Sequence, residues 1–174
     1  SHDNMVRELA KRGEHILSAT SPELAHLVHM TLGLVGETIE VQSHIESPPE
    51  EFETDFVTDL LLELGDVTFY TVGIMQHFGW TADELNRAPG EETREFFLQL
   101  KLDAIEHWLN TEDLGPGVLV LQAGKLSEVV KKHWIYGKEV HHESTRDTLC
   151  KIIGCVHLIA EGYESSLEEV LNLN

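Results

Sequence analysis

The chain has few of the residues that mark several common protein classes. Two cysteines, Cys150 and Cys155, stand in 174 residues, too few for a disulfide scaffold. Five residues apart on one helix they face different directions, which argues against a bridge between them, and neither sits in a zinc-ligand spacing. They read as thiols in a reducing compartment. Five prolines and 13 glycines punctuate the chain sparsely, so long uninterrupted elements are expected. No apolar run approaches the roughly 18 residues needed to cross a bilayer, and no signal-like segment opens the chain. Ser1-His2 resembles an expression remnant, and the fold reading starts at residue 3. A cytoplasmic location without membrane association is the expectation.

Positive charge is the scarcest commodity. Twelve Lys and Arg face 31 Asp and Glu, a formal net charge of −19. That balance argues against a nucleic-acid backbone or an anionic membrane as partner. The distribution is more informative than the total. From residue 13 to residue 86 there is no Lys or Arg, yet the same stretch carries 14 acids. From Pro116 to Gly154 the balance reverses, with Lys125, Lys131, Lys132, Lys138, Arg146 and Lys151 against four acids.

Apolar residues recur at helical spacing and nothing reads as a strand, so the fold class is all-α. A first helix is predicted to about His15. Ser21-Pro22-Glu23 then supplies an N-cap, a first-turn proline and an early acid for a helix to about Ile45. Ser47-Pro48-Pro49 breaks it. A third helix is predicted from Thr54 to about Phe78, with Phe56, Leu60, Val67, Thr71, Ile74 and Phe78 on one stripe, capped by Gly79-Trp80-Thr81. A short turn to Asn86, a linker over Arg87–Gly90 and a linking helix over about 92–109 follow. Leu114-Gly115-Pro116-Gly117 reads as a second linker, before helices over 118–134 and 144–160 and a closing turn from Ser166 to Leu171.

The chain also repeats itself. Gly36-Glu37-Thr38-Ile39-Glu40-Val41 lies over Gly124-Lys125-Leu126-Ser127-Glu128-Val129, and Leu64-Gly65-Asp66-Val67 over Ile153-Gly154-Cys155-Val156. The turn from Thr81 to Leu85 lies over Ser166 to Val170. A single domain over 3–174 is therefore expected, built from two helical-hairpin repeats, about 22–86 and 117–172, that close into a four-helix bundle with peripheral and linking helices.

Chemistry concentrates in the first repeat. Glu37 and Glu40 are three residues apart on one helix, and Glu63 and Asp66 three apart on the next, so each pair presents two carboxylates on one face. The acids interrupt apolar stripes, Leu34 and Val41 around Glu37 and Leu60 and Val67 around Glu63, and no local cation can neutralise them. Buried unpaired carboxylates are costly, so a bound cation is expected. Four carboxylates make a hard oxygen cage suited to Mg²⁺ or Mn²⁺.

These segments, Leu32-Gly33-Leu34-Val35-Gly36-Glu37-Thr38-Ile39-Glu40 and Glu63-Leu64-Gly65-Asp66-Val67, resemble the MazG-like all-α nucleotide pyrophosphohydrolases, whose pattern is Glu-x-x-Glu, a gap, then Glu-x-x-Asp. The likeness covers about Pro22 to Asn86. The stretch Val129–Lys138 and the turn Ser166–Asn172 resemble the same family, but Lys125, Ile152 and Cys155 stand where three acids would be, and Ser43 and His44 stand where lysines follow the first motif. The resemblance implies Mg²⁺-dependent conversion of a nucleoside triphosphate to the monophosphate and pyrophosphate. It implies metal ligation by Glu37, Glu40, Glu63 and Asp66, with Glu37 and Glu40 as the catalytic acids and Glu40 acting on the attacking water. It implies phosphate or substrate contacts from Lys125, Lys131, Lys132, Lys138, Asn86 and His29, and a homodimer. Two other classes stay open: a catalytically inactive nucleotide-binding or regulatory bundle, and a di-iron carboxylate protein, for which Glu139-Val140-His141-His142 offers one Glu-x-x-His.

Overall fold

A computed structural model of the chain describes residues 1–47, 54–81, 95–100 and 111–173. The elements are α1 (His2–Leu9), α2 (Gly13–Ser18), α3 (Pro22–Glu46), α4 (Thr54–His77), a helical stretch α5 (95–100), α6 (Thr111–Tyr136), α7 (His142–Gly162) and α8 (Leu167–Leu173). The all-helical expectation holds among the described residues, none of whose helices is long and apolar enough to cross a membrane.

Local chemistry sets most boundaries. The Ser21 hydroxyl accepts the Leu24 N–H at 3.2 Å and Pro22 opens the first turn of α3. Gly79, at φ +73°, ends α4: its N–H donates to the Gln76 carbonyl and that of Trp80 to the Met75 carbonyl, both at 3.0 Å. Ser166 and Glu169 satisfy each other's backbone N–H groups at the start of α8.

Two boundaries differ from the sequence expectation. The first helix breaks between Leu9 and Gly13, giving α1 and α2 in place of one helix to His15, and neither buries a residue. Without an apolar face against the core, nothing tertiary holds ten-odd residues in one helix. The expected linker at 114–117 lies inside α6 instead. Gly115 and Pro116 are buried there, and a Cβ on Gly115 would stand 2.8 Å from Ile159 Cγ1 of α7. Close packing thus overrides weak propensity, and the φ fixed by proline is itself helical. The 48–53 break, the 82–94 turn and linker with Asn86, and most of the linking helix lie outside the described residues.

The four long helices close a ring: α3 packs on α4 and α6, and α7 on α4 and α6. Facing residues fix the directions. Gly33 meets Tyr70 and Gly73 meets Met30, so α3 and α4 run antiparallel as the first hairpin, and α6 and α7 form the second. Between them lies one core of Leu27, Leu34, Leu60, Leu64, Leu126 and Ile159 with their neighbours. The buried threonines 31, 68 and 71 return their hydroxyls to their own helices, at 2.8 Å (Leu27 O), 2.9 Å (Leu64 O) and 2.7 Å (Val67 O), so these three hydroxyls enter the core satisfied.

Ile152 and Cys155, which align with Glu63 and Asp66, are fully buried in this core, and burial pushes the Cys155 thiol up to about 12. Replacing either with an acid should cost about 3 kcal/mol or more, as an unpaired buried carboxylate does. Urea unfolding of Ile152→Glu and Cys155→Asp checks this; a change below about 0.5 kcal/mol, typical of surface sites, would contradict the packing.

Candidate metal centre

The acids of the first hairpin converge. Glu37 comes from the middle of α3, and Glu63 and Asp66 come from the facing part of α4. One carboxylate oxygen from each of the three lies within 4.8 Å of the others. Glu40, one turn beyond Glu37, stands outside this trio and is exposed, yet its charge acts on both Glu37 and Glu63. The acids are therefore not enclosed within the core, as the apolar flanks suggested. Glu37, Glu63 and Asp66 are half-buried at the outer edge of the α3–α4 seam. The reason is rotational: Thr38, Leu64 and Val67 turn inward, and Glu37, Glu63 and Asp66, each one position before them, are carried to the rim.

The electrostatics carry the mark of crowding. Burial, then Glu40, Asp66 and Glu63, push the Glu37 carboxyl from 4.5 up to about 7. Glu63 is also raised, by burial first and Glu40 second, while its hydrogen bond with Glu37 and the nearby His44 pull the other way. A divalent cation there would offset the repulsive part of these shifts by compensating several carboxylates at once. The donor set is all oxygen and leaves one side open to water, which suits Mg²⁺ or Mn²⁺ and gives a soft metal no ligand.

His44 was not singled out from the sequence as a site residue. It lies seven residues after Glu37, two helical turns along the same face. Its ring stacks on Phe56 at 4.4 Å, and its Nε2 is 2.9 Å from the Phe56 carbonyl oxygen. It is held close enough to Glu63 to lower that carboxyl's pKa.

A groove of about 590 Å³ opens from the acids, with Glu37 and Asp66 in its wall. It runs along the outside of α3 and α4 past Met30, Phe69, Tyr70 and Gly73 to His26 and Gln76, and Leu171 of α8 forms one side. The signal was present in the sequence only as Phe69, an apolar residue off the buried stripe and 59% exposed.

The other expected contacts separate from the acids. His29 is exposed and packs edge-on to Tyr70 at 6.2 Å, beside the groove. Lys131 is hydrogen-bonded to Glu128, and Lys132 lies 3.4 Å from the same carboxylate. Lys131 also lines a small pocket with Val28, Thr31, Leu32 and Trp134, where α6 meets α3. Val28 and Leu32 are about half a turn around α3 from Glu37, so this lysine faces away from the metal-site edge within one chain. Lys125 and Lys138 are exposed. The structure does not bring Lys131 and Lys132 together with the acids. Glu139 and His141 lie between α6 and α7, with His142 opening α7.

Comparison of the chain with family models, with curated proteins and with solved structures returns no match. The weight therefore rests on the residues themselves.

Glu37 titrates in the folded protein at about 7 against 4.5 for an ordinary carboxyl. A folded-state pKa raised in this way means the native state holds the proton more tightly. Its contribution to stability is present below pH 4.5 and is lost as pH rises to about 7. Metal-free wild type should thus lose melting temperature across that window relative to Glu37→Gln, and Mg²⁺ should restore it most above pH 7. Parallel melting curves of the two proteins from pH 5 to 8 check this; superimposable pH profiles would contradict it.

Proposed function

We propose that the chain is a divalent-cation-dependent hydrolase of nucleoside triphosphates, releasing the monophosphate and pyrophosphate. The observation that carries the reading is the convergence of Glu37, Glu63 and Asp66 from two facing helices at the mouth of a groove, in a hairpin that has no Lys or Arg. The likeness to the MazG-like pattern supplies the reaction; the carboxylate set supplies the reason a triphosphate–magnesium complex is a fitting substrate. Such a substrate brings its own cation to a strongly acidic site.

Glu37, Glu63 and Asp66 are the ligands for Mg²⁺, with Mn²⁺ as the alternative. A bound ion there supplies charge compensation at the α-phosphoryl group and lowers the pKa of a water. Glu40, exposed and outside the tight trio, is placed to orient that water and accept its proton. His44 is fixed by Phe56: with its Nε2–H given to the Phe56 carbonyl, the doubly protonated ring has one donor left, Nδ1–H, for a phosphate oxygen in a region without lysine. Lys131 and Lys132 serve the reaction only if a second copy presents them, which makes a homodimer part of the proposal, with the exposed Lys125 and Lys138 as further phosphate contacts; the site is cytoplasmic on this reading.

One observation favours a second reading, an inactive nucleotide-binding bundle: Lys131 and Lys132 are engaged by Glu128 and face away from the acids. Turnover separates the two. With Mg²⁺ and a panel of nucleoside triphosphates, early time points should contain monophosphate and pyrophosphate in equal amounts. Glu40→Gln should lower kcat by about 10²-fold or more, the usual worth of a general base, with helical content unchanged. An accumulating diphosphate, or full activity in that variant, would contradict the proposal.

A further inference from the structure

We infer that the groove along α3 and α4 holds the base of the nucleotide, stacked on Phe69 with its edge toward Gln76; this rests on the triphosphate reading above and adds which part of the substrate is recognised, and where. Gln76 lies ten residues beyond Asp66 on α4, and His26 eleven residues before Glu37 on α3. At 1.5 Å per residue both are about 15 Å from the acids. The cavity, about 590 Å³, is large enough for more than a phosphate chain.

The wall changes character along that length. At the acid end it presents Glu37 and Asp66. Beyond them it presents Met30, Phe69, Tyr70, Val72 and Leu171, and it reaches polar side chains again at His26 and Gln76. A phosphate chain gains nothing from the apolar middle. A flat heteroaromatic ring does, because it leaves water on its faces and keeps its edge groups for hydrogen bonds. The Gln76 side chain offers an amide donor and a carbonyl acceptor at the place where such an edge arrives.

The aromatic platform is built before any ligand arrives. A Cβ on Gly33 would overlap the Tyr70 ring, so the glycine is what lets that ring lie across α3. Tyr70 in turn packs edge-to-face with Phe69, centroids 5.3 Å apart at 80°. Met30 is seated in the same way over Gly73, where a Cβ would stand 2.7 Å from its Sδ. Phe69 is thereby oriented while remaining 59% exposed, an arrangement suited to a ring that stacks on its free face.

The test is calorimetric titration of the full chain, with Mg²⁺ present, by nucleoside monophosphates and separately by inorganic triphosphate. Phe69→Ala should weaken monophosphate binding on the order of tenfold, as loss of one stacking partner does, and leave inorganic triphosphate binding unchanged. Phe69→Trp should retain it. Gln76→Leu should change the ranking among bases. Wild-type monophosphate affinity in Phe69→Ala would overturn the inference, as would wild type binding inorganic triphosphate as tightly as nucleotide. Sedimentation of Phe69→Ala covers the other occupant: dissociation of a dimer with unaltered monophosphate affinity would assign the groove to a second copy and overturn it. Failure of the hydrolase reading is seen separately, as absence of Mg²⁺-dependent pyrophosphate release from any nucleotide.

Discussion

Mutual repulsion among carboxylates held on two close helices is the constraint on which this molecule turns. Glu37 and Glu40 on α3 face Glu63 and Asp66 on α4, and no Lys or Arg lies between residues 13 and 86 to offset them. The helices approach because Gly33 makes room for Tyr70 and Gly73 makes room for Met30. The packing that stabilises the hairpin is thus the same packing that concentrates its charge. Burial first, and then these neighbouring charges, raise the Glu37 carboxyl to about 7. On the proposed reading, that is the pattern a bound hard cation would relieve.

The two hairpins divide their work. In the first, the positions at the rim carry acids and open into a groove. In the second, Ile152 and Cys155 are drawn wholly into the core, and Lys131 and Lys132 of α6 pair with Glu128 on the outside. The second hairpin lends apolar surface to Leu60, Leu64 and Leu34, and so lets the first tolerate a crowded, half-buried charge cluster.

How legible this was in the sequence depended on the range of the interaction involved. The start of α3 was readable because Ser21 and Pro22 act within one turn, and the end of α4 because Gly79 adopts its positive φ locally. The acid pairs were readable because i, i+3 spacing is a property of one helix. The course of α6 through Gly115-Pro116-Gly117 was not, since Ile159 of another helix decides it. Nor was the placement of Lys131 on the far side of α3, or the exposure of Glu40, because both depend on how each helix is rotated against its neighbours. The groove is the same case: Phe69, Tyr70 and Gln76 line one wall with His26 and Leu171 only when α3, α4 and α8 are assembled.

The central claim is that the carboxylates of the first hairpin form one divalent-cation site. Titration of Mn²⁺ followed by the electron paramagnetic resonance signal of the free ion reads it directly, without dependence on any substrate. Wild type should remove Mn²⁺ from solution saturably, Mg²⁺ should compete, and Asp66→Asn and Glu63→Gln should each weaken binding at least tenfold while Glu128→Gln, in the second hairpin, should leave it unchanged. Undiminished Mn²⁺ binding in the Asp66→Asn and Glu63→Gln proteins, or no saturable binding in wild type, would contradict the account.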